Sequence, residues 1–472
     1  MQEQTELPED LPADVSTRRG LVADVGSEDA QRGQLAIVTF SHAIQHIYVA
    51  GLAVAYPFVV TSFHVSYGAL GIVLGVAGII GGLLQAIAGS VRKVSARVLL
   101  SLQNFGMAIA SLMGGLASGF VLFGAARCIG SVVSWPQHPV GSALLARRFP
   151  ARRAYALSWH VAGGSIGTAV IPLVISALIA SYGWHVAVAA LAVPMAIGGV
   201  LVAWKLKDVG GGASATRPAT DRASPAAPAG GHLDAVRGIL HSRTALGAMI
   251  AGTIAAGGRG LGTLAVFVPA YLKSGLHLHA LWVGALFSAL VIGSIAGPVL
   301  AGHLADRMGR RRVLLVVYVV GAATIAAFVL VGRDLLAVGA VGVLVGVFAY
   351  AESPLLQAVF ADGLDGVGHQ STFGYYFAIS YGVGSLWTIA LGEIIATAGF
   401  RWAFFVMSMS FLVAAAVVWW SRPSPRRTGS PGPRGAPGGE DWHAAEDDPR
   451  PDLRPDPRPD LRPDPRPDPR QA

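Results

Sequence analysis

The chain has 472 residues, of which 53% are hydrophobic and only 13% are charged, and it contains 60 glycines. This composition excludes an ordinary soluble globule and indicates a polytopic membrane protein whose main surroundings are a lipid bilayer. The formal charge of +8 would favour nucleic acid in a soluble protein, but the cations here cluster between apolar runs, so we expect no nucleic-acid partner.

The first half of the chain is predicted to hold six membrane spans. Residues 1–34 are acidic, contain proline and lack the basic start of a cleavable signal peptide, so we expect a disordered cytoplasmic tail. Apolar runs of bilayer length follow near residues 35–57, 68–90, 97–118, 120–146, 154–181 and 184–204. They predict an N-terminal six-helix domain over residues 35–204.

A second set of six runs follows a linker. The Gly-, Ala-, Ser- and Pro-rich stretch 210–231 can bury nothing, so residues 205–243 are predicted to be a cytoplasmic linker. Apolar runs near 244–272, 281–303, 313–332, 335–360, 371–397 and 400–420 predict a C-terminal six-helix domain over residues 244–420. The Pro, Asp and Arg repeats of residues 421–472 predict a second disordered tail. Basic loops gather on one side of the spans, which predicts cytoplasmic termini and a place in the inner membrane.

The loop after the eighth run carries the most specific motif, GHLADRMGRRRVLL over residues 302–315. Gly302 allows close packing, Asp306 can accept bonds from a helix N-terminus, and Gly309 permits a reversal of the chain. This gating loop resembles the signature of the major facilitator superfamily, matched by Gly302, Leu304, Ala305, Asp306, Arg307, Gly309, Arg310 and Arg311. The resemblance implies an all-α integral membrane fold with twelve transmembrane helices in two pseudo-symmetric six-helix domains, and transport by alternating access.

The corresponding loop of the first half departs from this pattern. Lys93 stands where the signature has Asp, whereas the loop after the tenth run carries Asp362 and Asp365 without Lys or Arg. We predict that these charges pair across the gate when it closes. The alternative is that Lys93 serves topology and that the two carboxylates are solvated loop charges.

Ionisable residues within spans are costly, so their positions predict the functional site. Five of them are expected to bind substrate: His42, His46, Arg127, His138 and Arg259. The carboxyl groups of Glu352 and Glu393 are the candidates for proton coupling. The family resemblance implies that the spans of all these residues except Glu393 line a central cavity.

His42 and His46 leave alternatives open. Their i, i+4 spacing occurs in some metal sites, but no carboxylate lies between residues 35 and 204, so we expect neither a metal nor a cofactor. A polar cavity wall or a proton-responsive pair is favoured, because imidazole titrates near physiological pH. Histidines that merely pack in the core are the alternative.

Four stretches of the first half resemble the fosmidomycin-resistance type of drug exporters: Ser41-His42, Gln85 with Gly89, His138 to Ser142, and Gly163 to Gly167. Buried guanidinium groups at Arg127 and Arg259 indicate an anionic cargo. We therefore predict a monomeric secondary active transporter that exports a small anionic organic solute or drug in exchange for protons. The alternatives are an uptake symporter for organic anions, a membrane sensor and a membrane-embedded enzyme.

Overall fold

The computed structural model describes residues 28–86, 94–149, 152–207, 232–364 and 369–421, and each of these ranges is built from helices and short turns. Residues 1–27 and 422–472 of the predicted tails, and most of the predicted linker, lie outside the described residues. So do Lys93 and Asp365 of the predicted gate.

Seven α-helices form the described part of the first half: α1 Glu28–Ser62, α2 Tyr67–Ala86, α3 Ala96–Gly115, α4 Phe120–Ser134, α5 Ser142–Arg148, α6 Arg153–Ala190 and α7 Ala192–Lys205. Nine form the second: α8 His232–His241, α9 Arg243–Ala255, α10 Ala265–Ala270, α11 Ala280–Met308, α12 Arg310–Leu330, α13 Leu335–Asp362, α14 His369–Phe377, α15 Leu386–Ala398 and α16 Phe400–Trp420. The prediction of an all-α membrane fold is confirmed.

Four of the predicted spans are not continuous α-helices, and in the sixth Leu191 separates α6 from α7. A π-helical turn, Gln137–Gly141, joins α4 to α5, and another, Ala378–Gly382, follows α14. The seventh span is divided by a turn at residues 256–259 and by π-helical turns on both sides of α10. Broken helices of this kind occur where a transporter builds a binding site inside the membrane.

Nine helical stretches in the described residues are long and apolar enough to cross a bilayer. One of them, Tyr155–Lys205, holds two predicted spans separated by Gly183, whose φ of 79° ends the first helix. The broken fourth and seventh spans are built from shorter pieces and do not count among the nine. The described helices fit twelve crossings, and the count of twelve stays a prediction.

Two of the predicted boundaries differ from the structure. Helix α1 begins at Glu28, inside the predicted tail, because the buried Gln34 bonds to the far end of the first half. The Nε2 of Gln34 donates to the Lys205 carbonyl at 2.9 Å, and its Oε1 accepts from the Lys207 amide at 2.7 Å. Helix α8 lies inside the predicted linker and buries Ala235 and Ile239. The local composition of the sequence did not predict either of these helical segments, because each depends on contacts with residues distant in the sequence.

The bundle has two faces. Gly183, Gly332 and Gly399 all have positive φ angles and turn the chain on one face, which we call the Gly399 face. Gly309, with a φ of 89°, turns the chain on the opposite face, here called the Gly309 face, since one helix separates it from Gly332. Apolar side chains fill the bundle between them, and the aromatic ring of Tyr271 packs on those of Phe328, Phe400 and Phe404 near the Gly399 face.

Candidate functional site

Four histidines from three helical segments meet in the first half. The ring centroids of His42 and His46 on α1 lie 4.6 Å apart, and His138 lies 5.0 Å from His42 and 6.0 Å from His46. The ring of His160 on α6 stacks on that of His42 at 4.1 Å. One ring nitrogen each of His42, His46 and His138 lies within 4.8 Å of the other two. The sequence predicted three of these residues for the site, and the tertiary structure adds His160.

Hydrogen bonds orient two of the imidazole rings. The Nδ1 of His42 lies 2.6 Å from the carbonyl oxygen of His160, which can only accept, so this nitrogen carries the proton. The Nδ1 of His46 lies 2.8 Å from the hydroxyl of Thr168, whose own proton goes to the Gly164 carbonyl. Both rings therefore keep an unprotonated Nε2. The Nε2 of His42 is buried without a hydrogen-bond partner among the described residues.

An uncharged polar network lies beside the histidines, and the sequence reasoning missed most of it. The side chain of Gln137 accepts from Ser41 at 2.9 Å and from Gln103 at 2.8 Å, while Asn104 donates to the Ser41 hydroxyl at 3.0 Å. The available signal was the adjacent pair of amides, Gln103 and Asn104, in the mainly apolar third span. Their side-chain oxygens are buried without hydrogen-bond partners among the described residues.

Arg127 on α4 is held by a phenol rather than by a carboxylate. Its Nε donates to the Tyr56 hydroxyl at 2.9 Å, and the guanidinium is partly buried. The chain contains no Asp or Glu between Asp29 and Asp208, so the N-terminal half supplies no counter-charge within its spans. A neutral phenol solvates a cation without cancelling its charge, which leaves this position suited to an anion.

Arg259 and Glu352 form an ion pair in the second half. The Arg259 Nε lies 3.2 Å from Oε2 of Glu352, and its Nη2 lies 3.3 Å from Oε1. Arg259 is 3% exposed and Glu352 is fully buried. The Tyr318 hydroxyl also donates to Glu352, at 3.2 Å, and the Tyr381 ring covers the guanidinium. The sequence predicted Arg259 as a substrate ligand and Glu352 as a separate proton carrier, whereas the structure joins the two.

The break in the seventh span explains the position of Arg259. Where the helix stops at Ala256, backbone carbonyls lose their helical partners and must be satisfied in another way. The Thr263 hydroxyl donates to the Ala256 carbonyl at 3.0 Å. The Arg259 Nη2 donates at 2.6 Å to the Gly252 carbonyl, which also accepts from the Ala256 amide at 3.2 Å. The guanidinium is thereby turned back into its own half, with Nη1 donating to the Ser380 carbonyl at 3.1 Å.

Glu393, the second proton-coupling candidate, lies apart from this pair. It is exposed near the Gly399 face, on α15, and its carboxylate covers Gly68 at the start of α2. The two halves meet at this point.

The predicted gating loop is almost entirely helical. Helix α11 continues through Gly302, Asp306 and Arg307 to Met308, and a single residue, Gly309, separates it from α12. Asp306 and Arg307 are exposed in the last turn of α11.

The next two arginines of the loop make contacts within their own half. Arg310 pairs with Asp362 at 2.5 Å, and both side chains are about half exposed. Arg311 donates to carbonyls at the end of α16, among them that of Trp419 at 3.2 Å. Asp362 thus has a partner within its own half, and the predicted pairing with Lys93 is untested because Lys93 lies outside the described residues.

Comparisons with known proteins agree with this fold. The sequence profile of the Major Facilitator Superfamily matches residues 38–364 and 248–458. No curated protein sequence matches the chain.

Solved structures with this fold include a bacterial homologue of the human lysosomal transporter Spinster in an inward-facing, unoccupied conformation. It is 16% identical, with a TM-score of 0.69 over 84% of this chain and 98% of that one. The nucleoside transporter NupG is 13% identical, with a TM-score of 0.64 over 83% of this chain and 98% of that one. A single-residue variant of NupG reaches 15% identity and a TM-score of 0.68, over 83% and 99% of the two chains. At these identities the similarity shows a shared fold.

Proposed function

Because the chain belongs to the Major Facilitator Superfamily, and is therefore a membrane transporter rather than an enzyme, we propose that its cargo is a small organic anion that binds at Arg127. The observation that carries this proposal is the position of the guanidinium, on a membrane-spanning helix in a half whose spans, within residues 35–204, contain no carboxylate. A membrane-embedded cation that has no acidic partner in its own half is favoured when an anion joins it. The Tyr56 hydroxyl orients Nε, and carboxylate or phosphonate groups match the planar fork of the guanidinium.

Proton coupling is proposed to occur at the pair of Glu352 and Arg259. A proton on Glu352 removes the charge that holds Arg259, so the guanidinium becomes free to change partners. The opposite step, in which the pair forms again, releases the proton. Because breaking a buried ion pair without compensation costs about 3–5 kcal/mol, protonation is a large enough effect to bias two conformations.

We propose export as the direction, on the basis of the first-half resemblance to fosmidomycin-resistance exporters, with a drug as one class of cargo. The basic loops support a place in the cytoplasmic membrane with both termini inside. The transporting unit is proposed to be a monomer. Uptake of an organic anion is the alternative, and flux measured in both orientations in proteoliposomes separates the two.

The cargo proposal is tested by thermal stability of the purified chain in a panel of organic anions and cations at two pH values. We expect anions to stabilise the parent and to lose this effect in Arg127→Gln. The matched control is Arg401→Gln, because Arg401 is an exposed arginine at the start of α16. Stabilisation by cations alone, or anion stabilisation that survives in Arg127→Gln, would refute the proposal.

The coupling proposal is tested by Glu352→Gln, with the exposed Glu393→Gln as its control. We expect Glu352→Gln to abolish flux driven by a pH gradient while exchange of cargo down its own gradient continues. If the unpaired Arg259 prevents folding, the double variant with Arg259→Gln removes both charges and should also lack pH-driven flux. Normal pH-driven flux in either variant would assign coupling to another group.

A further inference from the structure

We propose that His42, His46 and His138 form a binding site for one divalent transition-metal ion of the Zn²⁺ class, with three imidazole ligands and an open fourth position. Three neutral imidazoles plus one exchangeable ligand is a recurrent Zn²⁺ arrangement in proteins. Metal binding here is independent of the proposed cargo.

The distances require only a small contraction. The three ring nitrogens already lie within 4.8 Å of one another. Nitrogens bound tetrahedrally at 2.0–2.1 Å from one Zn²⁺ lie about 3.3 Å apart, so the longest separation must shorten by roughly 1.5 Å. His138 is exposed at a π-helical turn and can swing its ring toward the two histidines of α1.

Hydrogen bonds around the cluster favour a metal over a purely structural role. Metal-binding histidines characteristically donate their second ring nitrogen to a carbonyl or another acceptor, which fixes the tautomer and the direction of the lone pair. His42 does so to the His160 carbonyl, and His46 does so to Thr168. The Nε2 lone pair of His42, which is 4% exposed, has no hydrogen-bond partner among the described residues. A buried acceptor without a donor is costly, and a cation between the rings removes that cost.

His160 is excluded as a fourth ligand by its orientation. Its ring is stacked on that of His42 with an interplanar angle of 14°, so the two rings cannot both aim a lone pair at one ion. All three ligand atoms are imidazole nitrogens, which suit Zn²⁺, Co²⁺, Ni²⁺ or Cu²⁺ and not Mg²⁺ or Ca²⁺.

The charge balance indicates what takes the open position. Three neutral imidazoles leave both charges of the ion uncompensated, and residues 30–207 contain no carboxylate. The fourth ligand is therefore water or hydroxide, as in other Zn²⁺ sites with three protein ligands.

The sequence analysis expected no metal, and the proposed site differs from that expectation for a physical reason. Two histidines at i and i+4 are too few ligands for a metal ion, so the sequence analysis looked for carboxylate ligands in the first half and found none. The third imidazole comes from a different helix, 92 positions after His46, and only packing brings it near.

The test uses the purified, tag-free full chain without cargo. We expect one tightly bound Zn²⁺ per chain after dialysis, and a visible absorption band of tetrahedral Co²⁺ when cobalt replaces zinc. His42→Asn, His46→Asn and His138→Asn should each weaken Zn²⁺ binding at least tenfold. The exposed His303→Asn, on the Gly309 face, should bind like the parent.

Thr168→Val keeps all three ligands but removes the acceptor of the His46 Nδ1, and should weaken binding about tenfold. This variant and the exposed His138→Asn carry the least risk of misfolding, which gel filtration checks. Absence of stoichiometric Zn²⁺, or equal binding by His138→Asn and His303→Asn, would overturn the site. Because cargo is absent, neither result bears on Arg127, whose own test is anion stabilisation after treatment with a chelator.

Discussion

The hydroxyl groups of Tyr67 and Ser274 lie 2.7 Å apart and join the two halves of the bundle at the Gly399 face. Beside them α2 packs on α15 through backbone contact. A Cβ on Gly71 would lie 2.6 Å from the Thr388 carbonyl, and one on Gly392 would lie 2.5 Å from the Tyr67 carbonyl. The halves can approach this closely only because these positions lack side chains.

Gly71→Val should therefore force the halves apart at the Gly399 face. The measurement is the rate at which a membrane-impermeant maleimide labels Ser274→Cys in a Cys128→Ser background, and we expect a several-fold increase. Gly374→Val is the matched control, because a Cβ at that helical position meets no atom within 4 Å. An unchanged rate in Gly71→Val would mean that this contact does not hold the face closed.

Gly130 lies directly under the hydroxyl of Tyr48, so a methyl group at this position would overlap it. We expect Gly130→Ala to lower the free energy of unfolding by about 1–3 kcal/mol, the usual cost of overpacking, and to weaken anion binding by displacing the neighbouring Arg127. Tyr48→Phe removes the overlapping oxygen, so adding it should recover part of the loss. Thermal unfolding of the single and double variants measures the effect.

Gly33→Ala is the control for this pair, since a Cβ there meets nothing within 4 Å. A double variant no more stable than Gly130→Ala alone would contradict the steric explanation.

Asp306 lies in the last turn of α11, where a carboxylate is disfavoured by the helix dipole. Asp306→Asn should therefore leave thermal stability equal to or slightly above that of the parent. If the carboxylate accepts bonds in the other transport conformation, as the signature implies, flux should nevertheless fall.

Asp334→Ala provides the opposite pattern. Asp334 caps α13 by accepting from the amides of Leu336 and Ala337 at 2.9 and 3.1 Å, so its loss should cost about 1 kcal/mol of stability with little effect on flux.

Parental flux in Asp306→Asn would show that the loop does not act as a gate.

Asp362 has two candidate partners, Arg310 within its own half and Lys93 across the gate. Half-exposed pairs are worth at most about 1 kcal/mol, so flux is the better readout than stability. We expect Asp362→Lys to impair flux and Arg310→Asp to restore part of it. If flux in Asp362→Lys is instead restored by Lys93→Asp, with or without Asp365→Lys, the predicted pairing of Lys93 with Asp362 across the gate is correct.

The sequence by itself determined which runs are long and apolar enough to cross a membrane and which family the chain resembles. A bilayer sets the length of an apolar run, and that length is read from consecutive residues. The signature around Asp306 is equally local, since Gly309 alone makes the turn between α11 and α12. For the same reason the individual ionisable residues of the spans could be named from the sequence.

Only the tertiary structure decided how those residues combine. The ion pair of Arg259 with Glu352 joins positions 93 residues apart and depends on a helix break whose direction no periodicity specifies. Likewise His138 and His160 meet His42 because three helical segments have particular rotations and depths. The start of α1 at Glu28 depends on the bonds that Gln34 makes to the end of α7. Hydropathy indicates that a helix lies in the membrane. The rotation of each helix about its axis is set by packing against its neighbours, and that rotation determines which side chains meet.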